Sequence, residues 1–243
     1  MEPARIAELL QPFLNVPPNP CHSEPSSCHS EPSEGSAVLT QTQLQNISTY
    51  IDLLLRWNAR INLTAIRQPE EMVTRHFGES LFAARHLFPS PIFPATTARG
   101  EQSSAPIRLI DVGSGAGFPG LPINIWAPHI NLTLIESNQK KATFLRELSR
   151  TLTLTNINVF PGRAEDYPDP PAEVVTLRAV EHFDTTLPIA ARLVAPGGSL
   201  ALLIGQAQLT RTHDITPGFT WTSPHPIPLS TERILVVGTR ESS

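Results

Sequence analysis

Apolar positions recur at helical spacing over the first third of the chain. Ile6, Leu9, Leu10 and Phe13 fit one face of a short helix within residues 1–14. From Thr40, the residues Leu44, Ile47, Tyr50, Ile51, Leu54 and Leu55 form a second stripe, which predicts a helix ending near Trp57-Asn58. A third helix is expected from Pro69, a residue suited to the first helical position, with Glu70 and Glu71 at the positive end of the dipole. Met72, Val73, His76, Phe77, Leu81 and Ala84 would share its inner face. Two stretches break the pattern. Residues 15–36 hold five prolines and a near-duplication, Cys21-His22-Ser23-Glu24-Pro25-Ser26 followed by Cys28-His29-Ser30-Glu31-Pro32-Ser33. A duplicated polar, proline-rich segment cannot bury a core, so a disordered insertion is expected there rather than a Cys/His metal site. Residues 89–106, rich in Pro, Ser and Thr, form the second break.

Beyond it strands and helices alternate. Strands are expected over 107–112, 132–136, 158–160, 174–177 and 199–204. Helices are expected after Pro119, over 139–152 with Ala142, Leu145, Leu148 and Leu152 in register, and over 187–194, ended by Pro196-Gly197-Gly198. The alternation predicts an α/β fold with a doubly wound, mainly parallel sheet and right-handed crossovers. Residues 219–221 and 234–237 would add a terminal antiparallel hairpin. The expected organisation is a short helix plus proline-rich insertion over 1–39, a helical segment over 40–88, a linker over 89–106 and the α/β domain over 107–243.

Composition changes this picture little. Hydrophobic residues make up 40% and charged residues 16% of 243, which suits one sizeable globular domain with an appendage. No apolar run approaches the roughly 18 residues of a membrane span. The start, Met1-Glu2-Pro3-Ala4-Arg5, does not read as a secretory signal. Cys21 and Cys28 are the only cysteines, so no disulfide framework is implied and a cytoplasmic protein is expected. The net charge of −4 runs against a general grip on free nucleic acid.

The richest motif is Asp111-Val112-Gly113-Ser114-Gly115-Ala116-Gly117-Phe118-Pro119-Gly120. Glycines after a strand permit a sharp turn and close approach of a ligand to the backbone. In an open α/β sheet this loop lies at the carboxyl ends of the strands, where ligands bind. Glu136, at the end of the second strand, can accept hydrogen bonds from both hydroxyls of a ribose. Gly115 to Gly120 formally matches the dinucleotide fingerprint, which keeps an NAD(P)-dependent oxidoreductase open. Yet the loop begins at Gly113, and counted from there the third glycine would fall on Phe118. An acid followed by G-x-G-x-G favours S-adenosylmethionine, with Gly113, Ser114 and Gly115 cradling it. Val112 stands where a nucleophile elbow needs glycine, so Ser114 is not a hydrolase serine.

The residues carry a further pattern: Trp57-Asn58, Asn62-Leu63-Thr64-Ala65-Ile66, His76, Glu79-Ser80-Leu81 and Asp111 to Gly120. It continues through Glu136-Ser137, Lys140-Lys141, Phe144-Leu145, Gly162-Arg163-Ala164-Glu165 and Arg178-Ala179. As an ordered set over 40–205, interrupted by the second break, this resembles the RsmG (GidB) family of bacterial methyltransferases, which modify N7 of one guanine of 16S ribosomal RNA. The resemblance implies a class I, Rossmann-like fold, S-adenosylmethionine as cofactor, the small ribosomal subunit as partner and no metal. It places Gly113 and Phe118 in the cofactor pocket, Glu136, Ser137 and Asn138 around the ribose, Ala164-Glu165 at the adenine, and Arg178 at a cofactor-binding position. The chain departs from the family pattern at Glu79, where Asp is usual, at Leu177, where Ser is common, and at Ile204, where Lys is frequent.

Guanine N7 carries a free lone pair, so such a reaction needs alignment rather than a general base. His76 is a candidate for a direct catalytic or RNA-contacting role, as against simple packing, with Ser80 on the same helical face as its hydrogen-bond partner. Glu165 is a candidate carboxylate for the developing positive charge. For Arg178 the competing reading is an ion pair with Glu181 or Asp184. Asn58, Asn62 and Thr64 read equally well as residues closing the turn between helices. Arg56, Arg60, Arg67, Arg75 and Arg163 are the candidate RNA-facing patch. A monomer is expected, and a non-catalytic cofactor-binding protein that docks on the ribosome stays open beside the enzyme.

Overall fold

The structure is a computed structural model that describes residues 1–15, 39–89, 106–179 and 182–242. Cys21, Cys28, most of both proline-rich stretches, and Glu181 lie outside the described residues. The amino-terminal part holds α1 (Pro3–Leu14), α2 (Gln41–Asn58), the short α3 (Pro69–Met72), a π-helical turn over Val73–Gly78, and α4 (Glu79–Leu87). Thr40 starts α2 with a capping box: its side chain accepts from Gln43 N, and the Gln43 side chain accepts from Thr40 N at 2.8 Å. Gln43 Nε2 also donates to the carbonyl of Ile125 at 2.8 Å, tying this helix start to the chain beyond the second proline-rich stretch.

The single regular helix expected from Pro69 is instead three pieces, and the reason is packing. Met72, Val73, Phe77 and Leu81 enter the core, while the wider π turn swings His76 to its edge. Gly78 is required in that turn, because a Cβ there would sit 2.5 Å from the Phe13 ring of α1.

Strands β1 (Arg108–Val112), β2 (Asn131–Ile135), β3 (Ile157–Phe160), β4 (Ala172–Arg178) and β5 (Val194–Gly205) are parallel to one another. They are joined by α5 (Gly120–Trp126), α6 (Gln139–Thr151) and α7 (Phe183–Arg192). After α8 (Leu209–Ile215) come β6 (Phe219–Trp221), β7 (His225–Pro226) and β8 (Arg233–Arg240), and β8 runs antiparallel to β5. The order is β3-β2-β1-β4-β5-β8-β6, with β7 also on β8. Two bounds differ from the periodicity. The last crossover helix stops at Arg192, not at residue 194, and the strand begins at Val194 rather than 199. Pro196-Gly197-Gly198 is therefore inside β5, where the register jumps from Ala172↔Val194 to Val174↔Ser199. That irregularity tolerates a residue without a backbone donor. It is a bulge, not a helix stop.

One hydrophobic cluster joins Leu10, Ile47, Tyr50, Ile51 and Phe77 to Leu109, Leu121, Leu134 and Leu145, so the first four helices share a core with one face of the sheet. A second cluster, with Val175, Leu187, Leu200 and Val236, fills the other face beneath α7. Leu177 and Ile204, two of the departures from the family pattern, belong to this second core.

Candidate active site

The chain runs outward from β1 to β2 and β3, then returns to β4 on the other side of β1. Loops leaving β1 and β4 therefore diverge and leave a crevice at the carboxyl edge of the sheet. A cavity of about 950 Å³ lies there.

Its floor is the glycine loop. Gly113, Gly115 and Gly117 hold φ of 68°, 58° and 95°, which side-chain-bearing residues rarely adopt. At Gly117 space forbids a side chain as well, since a Cβ would meet the Tyr50 hydroxyl and lie 2.6 Å from Leu121 Cδ1. Ser114 pins the loop through its N–H to the Ile135 carbonyl at 3.0 Å and its hydroxyl to the Asp111 carbonyl at 2.9 Å. Asp111 itself is fully buried below the loop, where its carboxylate accepts from the Thr176 hydroxyl at 2.8 Å and from Gly120 N–H at 3.3 Å. Burial pushes its pKa up to about 6, partly offset by those donors. Asp111 is a tie between β1, β4 and α5.

At one end of the cavity Glu136 is 7% exposed. Its Oε2 accepts from Gly115 N–H and its Oε1 from Asn138 N–H, each at 2.8 Å. A carboxylate accepts about four hydrogen bonds, so two directions remain for a ligand. Asn138 caps α6, its side-chain oxygen accepting from Lys140 N and Lys141 N at 3.0 and 3.2 Å. Ala164 and Glu165 lie just beyond β3 on a short 3₁₀ turn. Glu165 is exposed; its own backbone N–H and the Arg163 guanidinium, 3.2 Å away, hold its carboxyl below the usual range.

The other end is built on β4 and the amino-terminal helices. Arg178 pairs through Nη2 with Glu79 Oε2 at 2.9 Å, and the same nitrogen donates to the Arg75 carbonyl at 2.7 Å. Glu79 is 1% exposed and also holds Arg233 at 2.5 Å and Arg75 at 3.5 Å. Among the described residues the ion-pair partner of Arg178 is thus Glu79, on α4. Asp184 pairs with Arg211 at 2.9 Å.

Arg178 Nη1 lies 3.2 Å from His76 Nδ1. A guanidinium can only donate, so Nδ1 is the acceptor and Nε2 carries the proton. That proton points to Thr64 Oγ1, 2.8 Å away. Burial, followed by the charges of Arg178, Arg75 and Arg233, pushes the His76 pKa down to about 3, so the ring is neutral. It stacks on Phe118 with centroids 4.6 Å apart. Because its bare nitrogen is occupied by Arg178, His76 is no proton acceptor, and the geometry removes it as a general base. The expected partnership with Ser80 runs through the backbone instead, the Ser80 hydroxyl donating to the His76 carbonyl at 2.6 Å.

Gly113, Ser114, Gly115 and Phe118 line this one cavity together with Glu136, Ser137 and Asn138. Ala164, Glu165, Arg178 and His76 complete the set singled out from the sequence. The wall also includes Leu63, Thr64, His182 and Thr185, which were not singled out as site residues. Asn58 does close the turn after α2, its Oδ1 accepting from Leu63 N and Thr64 N at 2.9 and 3.1 Å. Thr64 has a second role that a local reading cannot find, because its link to Arg178 passes through His76.

Known proteins resemble the chain in sequence and in fold. The sequence profile of rRNA small subunit methyltransferase G (GidB) matches residues 43–216. Ribosomal RNA small subunit methyltransferase G of Streptococcus pyogenes serotype M2 (strain MGAS10270) is 37% identical over 175 residues, covering 70% of this chain and 68% of that protein. The protein of the same name from Xanthomonas euvesicatoria pv. vesicatoria (strain 85-10) is 38% identical over 192 residues, covering 77% and 82%. Among solved structures, ribosomal protein L11 methylase from Lactobacillus delbrueckii subsp. bulgaricus aligns with a TM-score of 0.54 at 11% identity, over 69% of this chain and 79% of that one. At that identity the likeness concerns the fold alone, which is the Rossmann-like fold of class I methyltransferases.

Proposed function

The chain belongs to the GidB family and is a small-subunit ribosomal RNA methyltransferase, and from that premise we propose that it moves the methyl group of S-adenosylmethionine to N7 of a guanine in 16S ribosomal RNA. Membership in that family sets aside the nicotinamide reading that Gly115 to Gly120 had left open. The observation that carries the proposal is the cavity itself, with a buried carboxylate at one end and, at the other, a His76 ring whose acceptor nitrogen is held by Arg178.

The residues present fit the cofactor. Glu136 keeps acceptor directions for a ribose diol, with Ser137 and Asn138 beside it. Ala164 and Glu165 stand where an adenine edge would lie, one strand further out. Gly113, Ser114 and Gly115 expose backbone to the amino-acid part, and Phe118 flanks it. Among the described residues Arg178 uses three of its five N–H groups, which leaves two for a carboxylate. When bound, the cofactor supplies a methyl group made electrophilic by a sulfonium centre. The protein's task is then alignment, because guanine N7 needs no proton removed before it attacks. Neutral His76 stacked on Phe118 gives the base a rigid, uncharged edge to rest against. Glu165, ionised and exposed, supports the positive charge that the purine gains only from a distance, and we give it a binding role rather than a catalytic one.

The acidic overall balance is answered locally. Three guanidinium groups, those of Arg75, Arg178 and Arg233, surround the single carboxylate of Glu79 beside the cavity, and Arg75 is 44% exposed. This concentrated positive charge suits an RNA backbone. Of the arginines proposed from the sequence, Arg67 instead braces Asn58 and Asn62, and Arg163 pairs with Glu165. No described helix is long and apolar enough to cross a membrane; we place the protein in the cytoplasm with its ribosomal substrate, as a monomer.

Mass spectrometry of ribosomal RNA nucleosides tests this directly. Small subunits from an unmodified strain, incubated with the protein and methyl-labelled cofactor, should gain labelled 7-methylguanosine in 16S RNA. Label on another atom or none at all defeats the proposal.

A further inference from the structure

Glu79, Arg178, His76 and Thr64 form one hydrogen-bonded chain that runs from the core to the cavity wall. Glu79 anchors Arg178, Arg178 donates to His76 Nδ1, and His76 donates from Nε2 to Thr64 Oγ1. The N–H of Ile66 donates to the same oxygen at 3.1 Å. A hydroxyl has two lone pairs and one proton. Both lone pairs of Thr64 are taken, and among the described residues its proton has no acceptor. Thr64 borders the cavity, so its hydroxyl can give a hydrogen bond to a ligand but cannot receive one.

Building on the function proposed above, we propose that Thr64 donates to the carbonyl oxygen O6 of the target guanine, so that the chain of four residues both sets N7 in line and selects against a base with an amino group at that place. The strand order locates the acceptor base at this end. The ribose-type carboxylate, Glu136, and Glu165 follow β2 and β3, on one side of β1, whereas Arg178 follows β4 on the other. A cofactor held by Glu136 at its ribose, with its amino-acid part beside Phe118 and Arg178, therefore leaves the adjoining wall of Thr64 and His76 for the incoming base. On the Hoogsteen edge of guanine, O6 is the acceptor beside N7, while adenine carries its N6 amine there. A donor locked against reversal faces O6 productively and faces an amine as donor against donor. The contact orders the ground state and leaves the methyl transfer itself unassisted, because a purine gaining positive charge becomes a poorer acceptor.

The test compares T64V and T64S with the wild type, using small subunits from an unmodified strain and calorimetry with S-adenosylmethionine. T64V should lose about tenfold in kcat/KM for methyl transfer, the scale of one hydrogen bond. Its cofactor Kd should stay within about twofold, and T64S should return to within about threefold of the wild-type rate. Small subunits carrying 2-aminopurine at the target position keep N7 but lack O6, and this arm needs no variant: the wild type should lose at least about fivefold on them. T64V should then lose no more on that base, since the two losses remove one contact. T64V at the wild-type rate, equal wild-type rates on both bases, or losses that simply add would each overturn the proposal. A T64V variant that loses cofactor affinity about tenfold would place the donor on the methionine carboxylate, and would overturn it too. A wild-type protein that leaves N7 of guanine unmethylated defeats the function reading itself, and shows this before any variant is made.

Discussion

The hydroxyl of Tyr50, midway along α2, donates to the carbonyl oxygen of Ala116 at 2.5 Å and so ties the amino-terminal helices to the glycine loop. The Tyr50 ring is fully buried, stacked on Phe118 at 5.2 Å and edge-on to Phe77 at 4.9 Å. Phe118 in turn carries His76. The helices before the sheet are thus a structural part of the cavity, and their packing sets the height of its floor.

Replacing Tyr50 by Phe keeps the ring contacts and removes only the donor. The Ala116 carbonyl would then be left without its partner in a buried place, a cost of about 1–3 kcal/mol. Y50F should lose that much unfolding free energy in urea and bind S-adenosylmethionine more weakly, because the loop loses its fixed height. Unchanged unfolding and unchanged calorimetric affinity would mean that the tie is idle.

Glu136 invites a sharper substitution. Both of its oxygens receive a backbone N–H, from Gly115 and from Asn138. In E136Q one of those N–H groups must face an amide NH₂, and the charge that strengthens bonds to a diol disappears. Cofactor affinity should fall by roughly tenfold to a hundredfold, with S-adenosylhomocysteine affected in parallel because it carries the same ribose. An affinity within twofold of the wild type would remove Glu136 from the ribose site.

What the sequence disclosed about this site was what is local in it. The glycine run after β1 and the acid closing β2 each lie within a few residues of the element they serve. The relation of Arg178 to Glu79 spans 99 residues and that of Arg178 to His76 spans 102. No periodicity records such pairs, so the acids weighed against a site role for Arg178 were the near ones, Glu181 and Asp184. The π turn was hidden for another reason. One extra residue in a turn leaves the apolar positions Met72, Val73 and Phe77 looking regular, while it rotates His76 between them away from the core. Pro196-Gly197-Gly198 misled in the opposite direction, since a helix stop and a bulge in a strand use the same residues.

Glu79 is the most exacting position in the amino-terminal helices. Its carboxylate is 1% exposed and sits among three guanidinium groups. E79Q keeps the shape and removes the charge, which leaves Arg178 and Arg233 partly buried without a counter-ion. A loss of about 3–5 kcal/mol is expected. E79D, one methylene shorter, should recover part of it by keeping the charge while shifting it away from one guanidinium. Urea unfolding of the three proteins gives the order, wild type above E79D above E79Q. If E79Q unfolds together with the wild type, the carboxylate is not the anchor of the hydrogen-bonded chain.

The same chain makes stability depend on pH in a way that isolates His76. Its pKa is about 3 in the folded protein against an ordinary 6.5, so between those values the unfolded chain binds a proton that the folded one refuses. The stability tied to a neutral His76 is therefore complete above pH 6.5 and is lost as pH falls toward 3. From pH 7 to pH 5 the loss is about 2 kcal/mol. Asp111 acts in the opposite sense. Its pKa is raised from 3.8 to about 6, so the folded state takes up its proton first and gains stability over that interval as pH falls. The wild-type profile mixes the two, and only a variant separates them. H76Q can still accept from Arg178 and donate to Thr64 but does not titrate, while Asp111 is untouched. The stability difference between wild type and H76Q, read from urea unfolding, should therefore shift by about 2 kcal/mol in favour of H76Q between pH 7 and pH 5. Methyl transfer by the wild type should show no inflection attributable to His76 between pH 6 and pH 8, because the ring is already neutral throughout. A stability difference independent of pH, or a rate that rises with a midpoint near 6.5 in the wild type but not in H76Q, would mean that His76 is an ordinary titrating histidine and that Arg178 does not hold its Nδ1.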